Sequence, residues 1–504
     1  MLSILIWLPA AAALVGALIP ARRAAGLLAL GGALGSFGIT IGLIAGYSGH
    51  STRLTHVTNV VWIRSLGIHY ALGLDGLNLF LVAMTTFSFA LAIAAANRRE
   101  WDRSRVFFLL FAIAESAVLG TFLAQDLALF VAFFDLMLIP FYLLLGVWGG
   151  PNRVAATLKL VIYTFVGSLL MLAGAIALAI LTSEHTGHPV SFALSTLAAS
   201  PLHKGTQEWI FLLFAAAFLV KMPAFPLHGW MPDAYREMPV EVLAVFSGVL
   251  SKVGAYGFLR IVLPIMPAAS VHFQTLILLI SLASVLYGSA MAFTQTNARL
   301  IAGYSSVAQL GFITLGIFAF ADQGAQGAVL QMVNHGLVVA PLFLIIGLLA
   351  ARAGGSDDIR DMGGIAMRAP VLATCFLIVT FATLAMPGSG NFVGEFLILF
   401  GLFKTKMVFS VIAFAGVVMA SVYALRVFIR AMHNRAGPRV DSREMSFRDG
   451  LVLVPFLAAI GLFAFYPQLQ LGRSQKSVTS SISRVVALTH PTGNLFADEP
   501  DSGQ

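Results

Sequence analysis

The sequence predicts an all-α membrane protein of about fourteen transmembrane helices. Three observations carry that expectation. Of 504 residues, 59% are hydrophobic and only 10% charged. The mean hydropathy of +0.91 lies outside the range of soluble domains. Apolar runs of about 20 residues, the length a helix needs to cross the hydrocarbon core, recur from end to end, and no stretch reads as a soluble domain.

The first run, 2–20, is apolar from residue 2 and has no basic leader, so it reads as a span and not as a cleaved signal. Arg22 and Arg23 divide it from 24–47, and a third run covers 73–97 before the polar break Asn97 to Arg105. Five runs follow, 106–124, 127–149, 155–182, 208–226 and 240–264, with Pro151 to Arg153 interrupting them. Five more, 274–294, 299–320, 326–350, 370–402 and 408–432, are interrupted by the charged stretch 352–368. The last run is 448–467, beyond the arginines of 430–448. From about 470 the apolar periodicity fades, predicting a short extramembrane tail that ends PTGNLFADEPDSGQ. The predicted divisions are 1–105, a three-helix region; 106–264 and 265–432, two five-helix units; and 433–504, the last helix and tail.

The formal net charge of +8 comes mostly from arginines bracketed by spans, which is a signature of topology and not of nucleic-acid binding. Taken in alternate loops, one side holds Arg22, Arg23, Arg98, Arg99, Arg103, Arg105, Arg153, Arg236, Arg299, Arg352, Arg360, Arg368 and the 430–448 group. The other holds far fewer, among them Arg53, Arg64, Lys204, Lys404 and Lys406. The positive-inside rule then puts both termini on the outer side. A single cysteine, Cys375, excludes an intrachain disulfide, a Cys-ligated zinc site and an iron–sulfur cluster. The run GGALGSFG at 31–38 lies inside a span with no strand before it, so it reads as small-residue helix packing and not as a phosphate loop. No Walker loop, zinc-ligand cluster, haem motif or catalytic triad is present, and His185 and His188 fall in a polar loop.

Two spans carry a similar interruption, VKMPAFP at 220–226 and LAMPGSGNFVGEF at 384–396. Proline removes a backbone hydrogen bond and clashes with the preceding turn, so both helices should break, at Pro223 and Pro387. Broken helices at corresponding places in two halves point to an inverted repeat with a polar site near the midplane.

Five intramembrane ionisable groups stand out: Asp135, Lys221, Lys252, His335 and Glu395, with Glu115 a weaker sixth. A charge at a helix centre costs about 2.5–3.5 kcal/mol on the insertion scale, so each needs a reason. Each has a plain one: Lys221 can snorkel toward His228, Lys252 can form an ion pair, His335 can pack, and Asp135 can cap a helix or pair with Lys221. Together they fit a proton route better, because such a route needs groups that each gain and lose a proton, joined by water. Interhelical hydrogen bonds in membranes add too little, on average below about 1 kcal/mol, to explain so many charges as glue.

At these residues the sequence resembles the antiporter-like, proton-pumping membrane subunits of NADH-quinone oxidoreductase, respiratory complex I. The matching stretches are LGLDGLNLF at 72–80, LAQDLALFVAFFDLMLIPFYLLLGVWGG at 123–150, KLVIYTFVGSLLML at 159–172, KMPAFPLHGWMPDAYREMPVEVLAVFSGVLSKVGAYGFLR at 221–260, ARLIAGYSSVAQLGFI at 298–313, MVNHGLVVAPLFLIIG at 332–347 and MPGSGNFVGEFLIL at 386–399. The resemblance implies that Lys221 is the central lysine of the first broken helix and Asp135 its acidic partner. It makes Lys252 the connecting lysine, His335 an axis histidine and Glu395 the terminal group of the second half-channel. Glutamate at that last site, and a chain too short for a long lateral helix, favour the M type over its L and N paralogues. Two positions depart from the pattern. Asp135 stands where glutamate is usual, and Gln309, a weaker pathway candidate, stands where many relatives have a histidine; an amide can hold water but does not titrate.

The resemblance further implies a multi-pass protein of a bacterial-type inner membrane. Its partners would be the L- and N-type subunits, small membrane subunits and the bilayer, with no nucleic acid. No cofactor would bind in this chain, NADH, FMN, iron–sulfur clusters and quinone being held by partner subunits. A subunit of a multi-subunit Na+/H+ antiporter or membrane-bound hydrogenase is the alternative, and a non-pumping structural scaffold a second.

Overall fold

A computed structural model describes residues 1–49, 51–435, 437 and 440–489. The end of the expected tail, 490–504, and Arg439 of the loop charges lie outside the described residues. Among those described, eleven helices are long and apolar enough to cross a membrane, from Arg23–Gly46 to Phe447–Phe465, and Leu2–Leu18 and Pro370–Thr383 are shorter apolar helices. Their outward residues are apolar: on helix Arg153–Thr186, Val154, Leu158, Ile162, Phe165, Val166 and Leu169 are all exposed. Their backbone groups are satisfied within each helix, the condition for facing lipid. Where two helices approach closely, small residues make room. A Cβ on Gly32, within the GGALGSFG run, would lie 2.8 Å from Ala12 Cβ on the first helix.

The structure differs from the expected spans in four places. The chain is not purely α: Thr55–Ile63 and Ile68–Leu74 form an antiparallel ribbon. THVTNVVWI is rich in β-branched Thr, Val and Ile, which suits a strand, and its nine residues are too few for a helical span. The run 127–149 divides at Met137 into Leu127–Leu136 and Leu138–Trp148. The run 370–402 is two helices, Pro370–Thr383 and the start of Gly390–Met432, which kinks at Lys406 between the two runs predicted there. The tail is not aperiodic: Gln468–Thr489 is an amphipathic helix that buries Val478, Ile482 and Val485 at helical spacing.

Loops gather into two faces. On one, Arg98 pairs with Asp449, Arg99 with Glu241 at 3.1 Å and Arg299 with Asp357 at 2.9 Å, tying together arginine-rich loops. On the other, the β-ribbon and helix Gln468–Thr489 meet where Gly76 N donates to Ser477 Oγ at 3.1 Å, and Arg484 donates to the carbonyls of Ala198 and Pro264.

Candidate functional site

Helix Lys204–Lys221 stops inside the protein because Pro223, two residues on, has no N–H to continue it. Its freed carbonyls find other donors: Ala224 N reaches Leu219 O and Trp230 Nε1 reaches Val220 O, both at 2.9 Å. Lys221 is 2% exposed and sits at the carbonyl end of this helix, where the dipole favours a cation. Its Nζ donates to Phe134 O at 3.4 Å and lies 4.0 Å from the centre of the Phe134 ring. Asp135 is the next residue and is half-buried. Its Oδ1 has no hydrogen-bond partner, and no ion-pair contact within 4.0 Å joins it to Lys221. The two described charges are neighbours without being a bonded pair.

Lys252 is fully buried in helix Val240–Ile265, between two π-helical turns, Phe246–Leu250 and Phe258–Val262. Each π-turn adds a residue to the winding and frees a carbonyl. Ser247 O, in the first, accepts from Lys252 Nζ at 2.9 Å and from Ser251 Oγ at 2.8 Å, and Ser251 Oγ also accepts from Nζ at 3.1 Å. Lys252 is thus held by two neutral oxygens. His335 lies on helix Asp322–Arg352, which packs against this segment so closely that a Cβ on Gly336 would sit 2.7 Å from Gly248 O. His335 is 4% exposed and its Nδ1 has no partner.

The second interruption runs from Leu384 to Ser389 around Pro387, with Ala385 at φ +52° and Gly388 at φ +98°. Asn391 Nδ2, just past it, donates to Ala382 O at 2.9 Å, the same device as Trp230 on Val220. Glu395 follows one turn later, 4% exposed. Gln309 Nε2 donates to Glu395 Oε1 at 2.7 Å, and Gln331 Nε2 donates to Gln309 Oε1 at 2.7 Å and to Glu395 Oε1 at 3.5 Å. The carboxylate is therefore met by neutral amides.

Among the expected residues the structure brings together Lys221 with Asp135, Lys252 with the His335 helix, and Gln309 with Glu395. Glu115 stands apart: it is fully buried and neither carboxylate oxygen has a partner. Charge alone as a search signal passes over Gln331, Asn334 and Asn391, neutral amides in apolar runs. The structure also forms an ion pair outside the expected route, Asp75–Arg260 at 2.6 Å, which Arg260 Nε extends to Tyr256 OH at 2.9 Å and Tyr256 OH to Phe122 O at 2.8 Å. The available signals were the aspartate inside LGLDGLNLF and the spacing of Lys252, Tyr256 and Arg260 along one helix face. Among the described residues no group of three or more His, Cys, Asp or Glu could hold a metal. The groups present suit proton movement: titratable side chains at helix breaks, separated by polar atoms that bind water.

Comparison with known proteins agrees with this architecture. The profile of the family described as NADH:quinone oxidoreductase/Mrp antiporter, transmembrane, matches residues 124–421. The NADH-quinone oxidoreductase subunit M of Rhodobacter capsulatus is 36% identical over 99% of this chain and 97% of its own length. That of Escherichia coli K12 is 37% identical over 83% of each. Among solved structures, a chain of respiratory complex I from Thermus thermophilus with bound NADH superposes with a TM-score of 0.88 at 29% identity, covering 96% of this chain and all of that one. A chain of the Mrp complex from Dietzia sp. DQ12-45-1b superposes with a TM-score of 0.86 at 20% identity, over 97% of this chain and 98% of that one, a likeness of fold.

Proposed function

The chain belongs to the family of NADH:quinone oxidoreductase and Mrp antiporter transmembrane subunits, and from that premise we propose that it is the M-type, proton-translocating membrane subunit of an NADH-quinone oxidoreductase. It has no redox centre of its own and contributes to the enzyme as part of the complex. Quinone reduction in other subunits drives protons through Asp135, Lys221, Lys252, His335 and Glu395, with Glu115 and Gln309 beside the route. The reading rests on one observation above others: each helix interruption, at Pro223 and Pro387, has a buried ionisable side chain next to it, Lys221 and Glu395.

In this reading the chain has fourteen spans. The eleven long helices are joined by Leu2–Leu18, by Lys204–Lys221 and by a division of Gly390–Met432 at Lys406, its first part continuing Pro370–Thr383. Residues 106–264 and 265–432 are inverted repeats, flanked by 1–105 and 433–504. The arginine-rich face is cytoplasmic in a bacterial inner membrane, and both termini are outside. L- and N-type subunits and small membrane subunits adjoin the chain, and partners elsewhere hold NADH, FMN, iron–sulfur clusters and quinone. Likeness to the Mrp chain extends to fold, whereas the two relatives compared at 36% and 37% identity are oxidoreductase subunits.

The test is Lys221→Ala in the assembled complex in inverted membrane vesicles. NADH-driven proton uptake should fall about a hundredfold, the scale of a positioned proton-transfer group. A normally assembled complex that pumps with unchanged stoichiometry would make the buried charges structural and return the scaffold alternative.

A further inference from the structure

We propose that the cleft on the arginine-rich face, framed by the ends of helices Leu79–Ala96, Val240–Ile265, Asp322–Arg352 and Phe447–Phe465, binds an anionic phospholipid, its phosphate at the arginines and an acyl chain along the apolar wall. The proposal rests on the reading of this chain as a bilayer subunit with that face cytoplasmic, and adds a ligand which that reading does not assign.

The cleft has a volume of about 680 Å³, within the range of about 300–1,000 Å³ that takes a small organic ligand. Leu344, Leu348 and Ala351 line it from helix Asp322–Arg352, and Val452 and Leu453 from helix Phe447–Phe465. The step from Ala351 back to Leu344 is two helical turns, so the apolar wall runs about 10 Å inward from the helix end. The walls belong to the helices that carry Lys252 and His335, of which Val240 and Ala351 line the cleft at its charged end.

The charged end is positive. Arg98, Arg99 and Arg448 line it against Glu241 and Asp449, three guanidinium groups to two carboxylates. The carboxylates are spent within the protein. Both oxygens of Glu241 accept from Arg99, at 3.1 and 3.3 Å, while Asp449 Oδ1 accepts from Arg98 and Oδ2 from Ser446 N and Oγ, each at 2.9 Å. The arginines keep donors in reserve. The Arg99 side chain is 58% exposed where its partner Glu241 is 7% exposed, Arg98 Nε is buried with no hydrogen-bond partner, and exposed Arg448 makes no ion pair among the described residues. A planar guanidinium with free N–H groups suits the oxygens of a phosphate.

A free anion would leave the apolar wall wet, and a neutral lipid would leave the guanidinium donors unused. An anionic phospholipid of the cytoplasmic leaflet meets both needs in one molecule, and basic recesses between membrane helices on that side are where such headgroups dock.

The experiment exposes the purified complex to a phosphatidylglycerol carrying a photoactivatable diazirine in its acyl chain and maps the label on this subunit by peptide mass spectrometry, with subunit content as the assembly control. Label should fall on the peptides that hold 344–351 and 452–453, and unlabelled phosphatidylglycerol should displace it where phosphatidylcholine and inorganic phosphate do not. Arg448→Gln, which breaks no ion pair, should lower the labelling about fivefold, the weight of one basic side chain at an anionic headgroup. Ala351→Phe, which narrows the wall and leaves every charge in place, should lower it at least as much. Equal labelling by a phosphatidylcholine probe overturns the proposal in favour of unselective bilayer lipid, and displacement by inorganic phosphate overturns it in favour of a free anion. Absence of label at these residues in the assembled complex, as when a partner subunit fills the cleft, overturns it too, as does labelling unchanged in both variants. Labelling does not depend on proton transfer, so it stands or falls separately from the Lys221→Ala experiment.

Discussion

At the first helix break the ionisable side chain precedes the proline; at the second it follows. Lys221 is the last residue of helix Lys204–Lys221, and Glu395 the sixth of helix Gly390–Met432. Lys221 therefore lies in a last turn, where exposed carbonyl dipoles favour a cation. Glu395 lies beyond the first turn, where the favourable field of a helix start has largely faded. That difference accounts for the company each keeps. Lys221 is held by one backbone carbonyl and an aromatic face, while Glu395 draws on two glutamine side chains. Neither has an opposite charge in bonded contact. A buried ion pair gains Coulomb energy at a large desolvation cost and locks both partners in their charged forms. Neutral dipoles support a charge without that lock, leaving protonation open to whatever moves nearby, which is what a coupled pump needs.

The comparison breaks most sharply under charge exchange. Lys221→Glu sets a carboxylate against Phe134 O, the ring face and a helix carbonyl end, all of negative sign. With an insertion cost of about 2.5–3.5 kcal/mol and neither contact of Lys221 able to donate to it, the complex should lack this subunit, as read by its content in the purified enzyme. Glu395→Lys meets glutamines whose amides can turn to offer oxygens, so that variant should assemble while failing to pump. Equal assembly of the two variants would show that the helix ends do not distinguish the sites.

The next largest effect concerns Asp135. Its side chain makes no ion pair with Lys221, so it acts on the lysine from a distance. Asp135→Asn should reduce proton uptake about tenfold, whereas Asp135→Glu, one methylene longer, should retain it and draw the first site toward a true pair. Indistinguishable proton uptake by all three forms would remove Asp135 from the route.

A smaller effect separates the two carbonyl caps. Trp230→Phe and Asn391→Leu each delete one hydrogen bond to a freed carbonyl, Val220 O or Ala382 O, worth about 1 kcal/mol. Both should lower the thermal midpoint of the purified complex. Only Asn391→Leu should also lower proton uptake, because Asn391 lies one turn before Glu395 on the same helix.

The contrast between the breaks was half legible in the sequence. Two Met-Pro pairs within apolar runs announced the interruptions, because proline acts locally through its missing N–H. The buried charges announced themselves too, since hydrocarbon makes each conspicuous. The partners were not legible. Gln331 lies 64 residues from Glu395, and Arg260 lies 185 from Asp75, so nothing local joins them. Neutral amides also cost little enough in a span to escape a search for charges, and Asn334 and Asn391 were missed for that reason. The fold divides likewise. Long apolar helices lie within a few residues of the predicted runs, as with 274–294, but the strands Thr55–Ile63 and Ile68–Leu74 are too short, and helix Gln468–Thr489 too amphipathic, for a hydropathy scan.

The smallest expected effect lies on helix Gln468–Thr489, away from both breaks. Arg484 is the clamp to examine there, because its guanidinium gathers the carbonyls of Ala198 and Pro264, the latter at 3.1 Å, and so joins three segments of one face. Water can replace those contacts in a half-exposed site at little cost, so Arg484→Ala should lower the thermal midpoint by the equivalent of about 1 kcal/mol or less. Proton uptake per NADH should stay at the level of the unmodified complex, since none of the buried titratable groups touches this side chain. A loss of coupling comparable with Asp135→Asn would mean that this face, and not the interior contrast between a carbonyl-held lysine and an amide-held glutamate, sets the energetics of transfer. The mechanism would then have to be sought in how the outer helix holds the bundle.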